Sequence, residues 1–261
     1  LNLTRAALDA ATKYPWTRAE NPRKFGVYDD DIEIFQWMRQ GAPEGKKSME
    51  AQIMDWSDDV SYSVHDFEDA VVSEQLSIEK IDSDIEAIFT VAKSDYMGDL
   101  SESEVSAALN RLQKLSCWPS HYDGSHRHLA RLKDLSSQLV GRFALAAEQA
   151  TREIHGEGDL TRYNANLEVP REQKIEVALL KSISTYYVIG SESSQVRYGE
   201  QQILINELVE MLYAKAPQAL ESFFLDDWHQ ASTDAQKLRV VIDQVASLTD
   251  PGAYALHAKL R

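Results

Sequence analysis

A chain of 261 residues, 43% hydrophobic and 26% charged, can bury one large core or two small ones and reads as a soluble globular protein. Its net charge of −15 excludes a generally basic face for nucleic acid or anionic membrane, although a local basic pocket can still take phosphate. No apolar run approaches the roughly 18 residues of a membrane span, and a single cysteine, Cys117, excludes an internal disulfide and suits a reducing cytoplasm.

In chain order, residues 2–12 predict an amphipathic helix with Leu3, Ala7 and Leu8 on one face, stopped at Pro15. Residues 17–31 are loop-like, and Ile32 to Met38 form a short apolar helix. Ser48 has the chemistry of an N-cap for a long helix running from Met49 to about Glu74. Further helices are predicted over 77–93, 101–116 and 126–154, broken at Cys117-Trp118-Pro119 and Tyr122-Asp123-Gly124. The stretch LTRYNANLEVP alternates rather than cycles, which predicts a short strand or hairpin near 160–170. Helices return over 171–189, 195–215, 217–230 and 234–261. The fold class is mainly α, with at most that one hairpin. No composition shift or repeat divides the chain.

The long helix carries an acid-rich stretch, MDWSDDVSYSVHDFED, at 54–69. Its apolar set, Ile53, Trp56, Val60, Val64, Phe67 and Val71, recurs at three- and four-residue steps, and Val60, Val64, Phe67 and Val71 define a face expected to be buried. An α-helix advances about 100° per residue, so Asp58, Tyr62 and Asp66 stay within roughly 80° of one another at the edge of that face. A partly shielded carboxylate needs a partner: a divalent cation, or a lysine or arginine. Asp59, Glu68 and Asp69 are expected on the solvated side.

Two other groups stand out. His121, His126 and His128 have an H-x4-H-x-H spacing that zinc can use, and read more simply as surface histidines. Arg142, in VGRF, and the Arg197-Tyr198 pair are conceivable phosphate or base contacts, with a surface or assembly role the simpler reading. No glycine-rich phosphate loop, Ser-His-Asp order or CxxC pair occurs.

The segment EAQIMDWSDDVSYSVHDFEDA, with NLTRAALDAATKYPW and KFGVY before it, closely resembles the bacterial deoxyguanosinetriphosphate triphosphohydrolase-like family of the HD superfamily. The blocks LTRYNANLEVP, VALLKSISTYYVI and LRVVIDQVASLTDPGAYALHAKL resemble the family's carboxy-terminal portion in the same order. The resemblance implies residues 1–75 as the last part of an HD catalytic core and 76–261 as a helical carboxy-terminal region not separable from it. It implies hydrolysis of a deoxynucleoside triphosphate to deoxynucleoside and tripolyphosphate at a divalent metal: Mn, Mg, Fe, Co or Ni.

By the same resemblance, Asp58 is the family's distant metal aspartate. Tyr62 and Asp66 match positions that pack on the sugar and bond its 3′-hydroxyl. Lys13, Tyr14 and Lys24 match positions near the triphosphate. The family's remaining metal ligands, a histidine and a His-Asp pair, precede the NLTR block, so the metal site is incomplete in this chain and no catalytic residue is assigned within it. The literal His65-Asp66 follows Asp58 on the same helix and is not that pair. The expected partners are a deoxynucleoside triphosphate, a preceding segment and further copies of the chain, in the cytoplasm and away from membranes. The competing reading is a non-catalytic helical assembly or regulatory module.

Overall fold

Ser48 starts the helix on which the first half of the molecule is stacked. Its Oγ accepts a bond from the Ala51 N–H, and α3 then runs Met49–Val72. The computed structural model describes residues 2–190 and 192–261. These form two compact units, one ending at Ile189 and the other starting at Gly190.

In the first unit, α1 (Arg5–Ala10) and α2 (Ile32–Met38) precede α3. After it come α4 (Ile85–Val91), α5 (Glu102–Gln113), α6 (His126–His155) and α7 (Arg171–Ser184). α3 packs mainly along α7 and α6, and α5 lies on α7. The predicted inward set of α3, Val60, Val64, Phe67 and Val71, meets Leu132, Leu135, Leu139 and Phe143 of α6 and Leu179, Leu180 and Ile183 of α7 in one core. Residues on both sides of position 75 therefore share that core.

Several elements differ from expectation. The stretch 77–93 is not one helix: a 3-10 turn at Ile78–Lys80 and turns to Asp84 precede α4, and a π turn, Ala92–Tyr96, follows it. The helical run from Arg171 likewise ends in a π turn over Thr185–Ile189. Leu3, which precedes α1, and Ala7 on it are exposed, and the side chain α1 buries is Asp9. Asp9 accepts bonds from Arg39 Nη1 at 2.7 Å and Tyr163 Oη at 2.5 Å, and Arg162 Nη2 lies at 2.5 Å.

Those contacts also explain the missing hairpin. No strand occurs among the described residues, which hold only a single bridge between Thr17 and Val27. Backbone groups of the predicted hairpin bond instead to side chains of neighbouring helices. The Arg162 N–H donates to Glu50, the Leu167 N–H to Gln52 and the Glu168 N–H to Thr151. The Arg162 carbonyl in turn accepts from the Met49 N–H, one of the donors a helix start leaves open. Arg162 takes a positive φ of 58°, which no ladder would tolerate.

Burial alone would raise the Asp9 carboxyl, but the bonds from Tyr163 and Arg39 outweigh it and hold it below its ordinary 3.8. A carboxyl depressed on folding adds stability above its unfolded value, and that stability is lost as pH falls through the lower folded value. The acid-unfolding curve of the wild type should therefore steepen below about pH 4, and Asp9→Asn should flatten that part of it while lowering stability at neutral pH.

In the second unit, α8 (Glu192–Lys215) is followed by α9 (Ser222–Gln230), α10 (Asp234–Ala246) and α11 (Asp250–Leu260). The predicted helix over 217–230 begins only at Ser222. The one over 234–261 is two, because Thr249 caps a new helix with proline in its first turn. Leu208 and Leu212 of α8 form this unit's core with Phe224, Val241 and Leu260. No helix among the described residues is long and apolar enough to cross a membrane.

Candidate functional site

The exit from α1 lies against the start of α3. Lys13 Nζ reaches Asp58 Oδ2 at 2.5 Å and Asp55 Oδ1 at 3.0 Å, and Lys47 Nζ reaches Asp55 Oδ2 at 2.5 Å. The ammonium groups of Lys47, Lys13 and Lys24 stand 5.1, 5.7 and 6.0 Å from the centre of the Tyr14 ring. Three of the expected residues, Lys13, Tyr14 and Lys24, thus meet beside Asp58, although KYPW and KFGVY are separate in sequence.

Two backbone contacts hold those motifs together. Trp16 Nε1 donates to the Lys24 carbonyl at 2.5 Å, and the Gly26 N–H donates to the Trp16 carbonyl at 3.2 Å. A Cβ at Gly26 would fall 2.2 Å from the Tyr14 carbonyl oxygen, so no other residue fits without moving the chain. Gly26→Ala should cost about 1–3 kcal/mol of stability, typical of overpacking against backbone. Urea denaturation checks this.

The charges at this cluster are tightly balanced. Burial favours the neutral Asp55 carboxyl, but the bonds from Lys47 and Lys13 prevail and hold it below the usual range. Lys13 is shifted upward against its own burial by the bonds from Asp58 and Asp55.

Tyr62 and Asp66, one and two turns beyond Asp58, face a different space. Both line a cleft of about 660 Å³, together with Asp59, Tyr96, Lys181 and Thr185. Tyr62 is 62% exposed, so its ring is available rather than part of the core. Burial in the cleft wall, reinforced by Asp69, raises the Asp66 carboxyl above its ordinary range. Opposite it, Tyr96 Oη and Thr185 Oγ1 bond at 2.6 Å.

Some of the sequence reading is corrected here. Asp59 pairs with Lys181 at 2.5 Å rather than standing free in solvent. Glu68 is buried, because it faces α6, where Ser136 Oγ donates to it at 2.6 Å and Lys133 pairs with it. Arg142 is a structural partner: its guanidinium grips the fully buried Glu176 at 2.9 and 3.0 Å. Arg197 stacks near Tyr198 in the second unit. Lys47, Asp55, Tyr96 and Lys181 went unpredicted. Lys46-Lys47 just before the N-cap was the available signal, since cations sit poorly at the positive end of a helix unless an anion joins them.

Asp58 offers one ligand to a divalent metal, and the described residues around it do not complete a site. Its carboxylate is engaged by a lysine, and one carboxylate does not make a metal site. Among the described residues, the only converging group of three or more histidine, cysteine or acid ligands lies elsewhere, at His121, Asp123 and His128.

Residues 167–259 match the phosphohydrolase-associated domain. The chain is 47% identical, along its whole length, to a deoxyguanosinetriphosphate triphosphohydrolase-like protein of Streptomyces coelicolor, covering 63% of that protein. A protein of the same description from Bifidobacterium longum is 43% identical over the whole chain, which covers 58% of it. One from Corynebacterium diphtheriae is 39% identical over 96% of the chain, with 60% of the relative covered. The chain thus spans about three fifths of the length of these relatives.

Proposed function

We propose, from the premise that the chain belongs to the deoxyguanosinetriphosphate triphosphohydrolase-like family of phosphohydrolases, that it carries the phosphate- and sugar-side part of a deoxynucleoside triphosphate triphosphohydrolase. The observation that carries this reading is the order of groups along one helix. Three lysines gather at its start, Asp58 stands beside them, and Tyr62 and Asp66 open onto a cleft one and two turns on.

Each group has a physical task in that reading. Lys13, Lys24 and Lys47 offer compact positive charges to a triphosphate, and Lys13 would exchange its bonds to Asp55 and Asp58 for phosphate oxygens. Tyr62 presents an exposed ring on which a deoxyribose can pack. Asp66 accepts a hydrogen bond from the 3′-hydroxyl, and a 2′-hydroxyl would press on the packed face. The reaction adds water at the α-phosphorus and releases the 5′-oxygen, giving deoxynucleoside and tripolyphosphate. A divalent metal would supply electrophilic assistance there, and Asp58 is this chain's one candidate ligand for it.

Exposed apolar side chains support two partners. Leu3, Ile34 and Trp37 on the first unit are surface that further sequence of the protein would cover, in keeping with the greater length of the relatives. Phe223, 80% exposed on the second unit, supports contact between copies.

The test is incubation of the complete protein with each of the four deoxynucleoside triphosphates and a panel of divalent metals, with products separated by ion-exchange chromatography. Tripolyphosphate in step with deoxynucleoside is the expected result. Pyrophosphate or orthophosphate as the primary product, or no turnover under any condition, would end the reading.

A further inference from the structure

We propose that the loop before α6 and the first turn of that helix form a structural site for a nitrogen-seeking divalent cation of the zinc, cobalt or nickel type, held by His121, Asp123 and His128. One ligand atom from each lies within 4.8 Å of the other two. Two imidazoles and a carboxylate form a donor set suited to such ions rather than to magnesium or calcium, which take oxygen. The site is distant in sequence from α3 and shares no residue with the cluster at Asp58.

The arrangement is built rather than accidental. Ser125 caps α6, its Oγ accepting from the His128 N–H at 3.3 Å, while its own N–H donates to Asp123 Oδ1 at 2.9 Å. One residue therefore fixes two of the three ligands. Gly124, at φ +75°, makes the tight turn that brings Asp123 back over the helix start. The loop is anchored from below, because Trp118 and Tyr122 pack on the core and the Trp118 ring lies 5.4 Å from that of Phe67. The third ligand is oriented too, with Ser120 Oγ 3.1 Å from His121 Nδ1.

Two of the three ligands already face one another. The Asp123 N–H is directed at His128 Nδ1 from 3.3 Å, which uses that nitrogen as an acceptor. The same nitrogen lies 2.7 Å from Asp123 Oδ1, another acceptor. A proton on the ring satisfies that contact, and a metal ion would take its place. The His121 ring stands edge-on to His128 with centroids 4.5 Å apart, which turns a second imidazole toward the same point. His126, part of the H-x4-H-x-H spacing, is exposed and outside the group.

The experiment is calorimetric titration of the EDTA-stripped 261-residue chain with zinc, and with cobalt, whose visible spectrum reports coordination by nitrogen. One ion per chain should bind and raise the melting temperature in proportion to the logarithm of its concentration. His121→Ala and His128→Ala should each weaken binding by about tenfold or more, while His126→Ala and Asp58→Ala should leave it unchanged. His121 is exposed in a loop, so its variant decides the matter even if His128→Ala disturbs the helix start. No saturable binding, binding untouched by His121→Ala, or equal loss in His126→Ala or Asp58→Ala would each overturn the proposal.

Discussion

Glu176→Ala should destabilise the first unit by about 3–5 kcal/mol, the range for stranding the partners of a buried charge. Glu176 is fully buried on α7 and bonds two guanidiniums at once: Arg111 Nε of α5 at 2.6 Å, and Arg142 of α6 at 2.9 and 3.0 Å. The network therefore ties three helices through one carboxylate. Removing that carboxylate leaves two part-buried guanidiniums without their shared partner. The triple substitution Glu176→Leu, Arg111→Met and Arg142→Met should recover much of the loss, since well-packed apolar side chains often equal a buried ion pair. Urea unfolding followed by tryptophan fluorescence reads this well. Four of the five tryptophans, Trp16, Trp37, Trp56 and Trp118, lie in the first unit. An unchanged midpoint in Glu176→Ala would show that the network contributes nothing.

That same network marks the limit of what the sequence could show. An arginine on an amphipathic helix looks alike whether its partner is a phosphate or a carboxylate 34 residues away. Only packing of α6 on α7 decides. What was legible rested on local chemistry: Ser48 as a cap and the apolar recurrence along α3. The 160–170 stretch failed as a hairpin because its alternation was a by-product of anchoring. Tyr163 goes inward to Asp9, while the backbone on either side is held by Glu50, Gln52 and Thr151. Placement was readable where one helix set the spacing, with Asp58, Tyr62 and Asp66 all on α3. Lys47, Asp55 and Lys181 depended on how that helix meets its neighbours. Lys181 lies 122 residues from the Asp59 it pairs with, beyond the reach of any local pattern.

Asp58→Ala in the complete protein should abolish turnover, by on the order of 10²–10³-fold or more, as expected when a fixed charge at a reacting phosphate is lost, while barely touching stability. The reason for the split lies in the ion pairs. The Asp58 carboxylate is 43% exposed, and a pair of that kind is worth about 0–1 kcal/mol. Lys13 also keeps its second partner, Asp55, at 3.0 Å, so the exit from α1 stays docked on α3. A structural role for Asp58 would show the opposite pattern, with melting temperature and activity falling together. Asp66→Ala provides the contrast from the other end of the helix face. It opens the cleft wall without altering the lysine cluster, so KM for deoxynucleotide should rise more than kcat falls. Metal content by atomic emission separates the two further: Asp58→Ala should lose the equivalent not held at His121, Asp123 and His128, and Asp66→Ala should keep it. An Asp58→Ala protein with full metal and an undiminished rate would remove this aspartate from the chemistry and leave the Lys13 pair as its whole purpose.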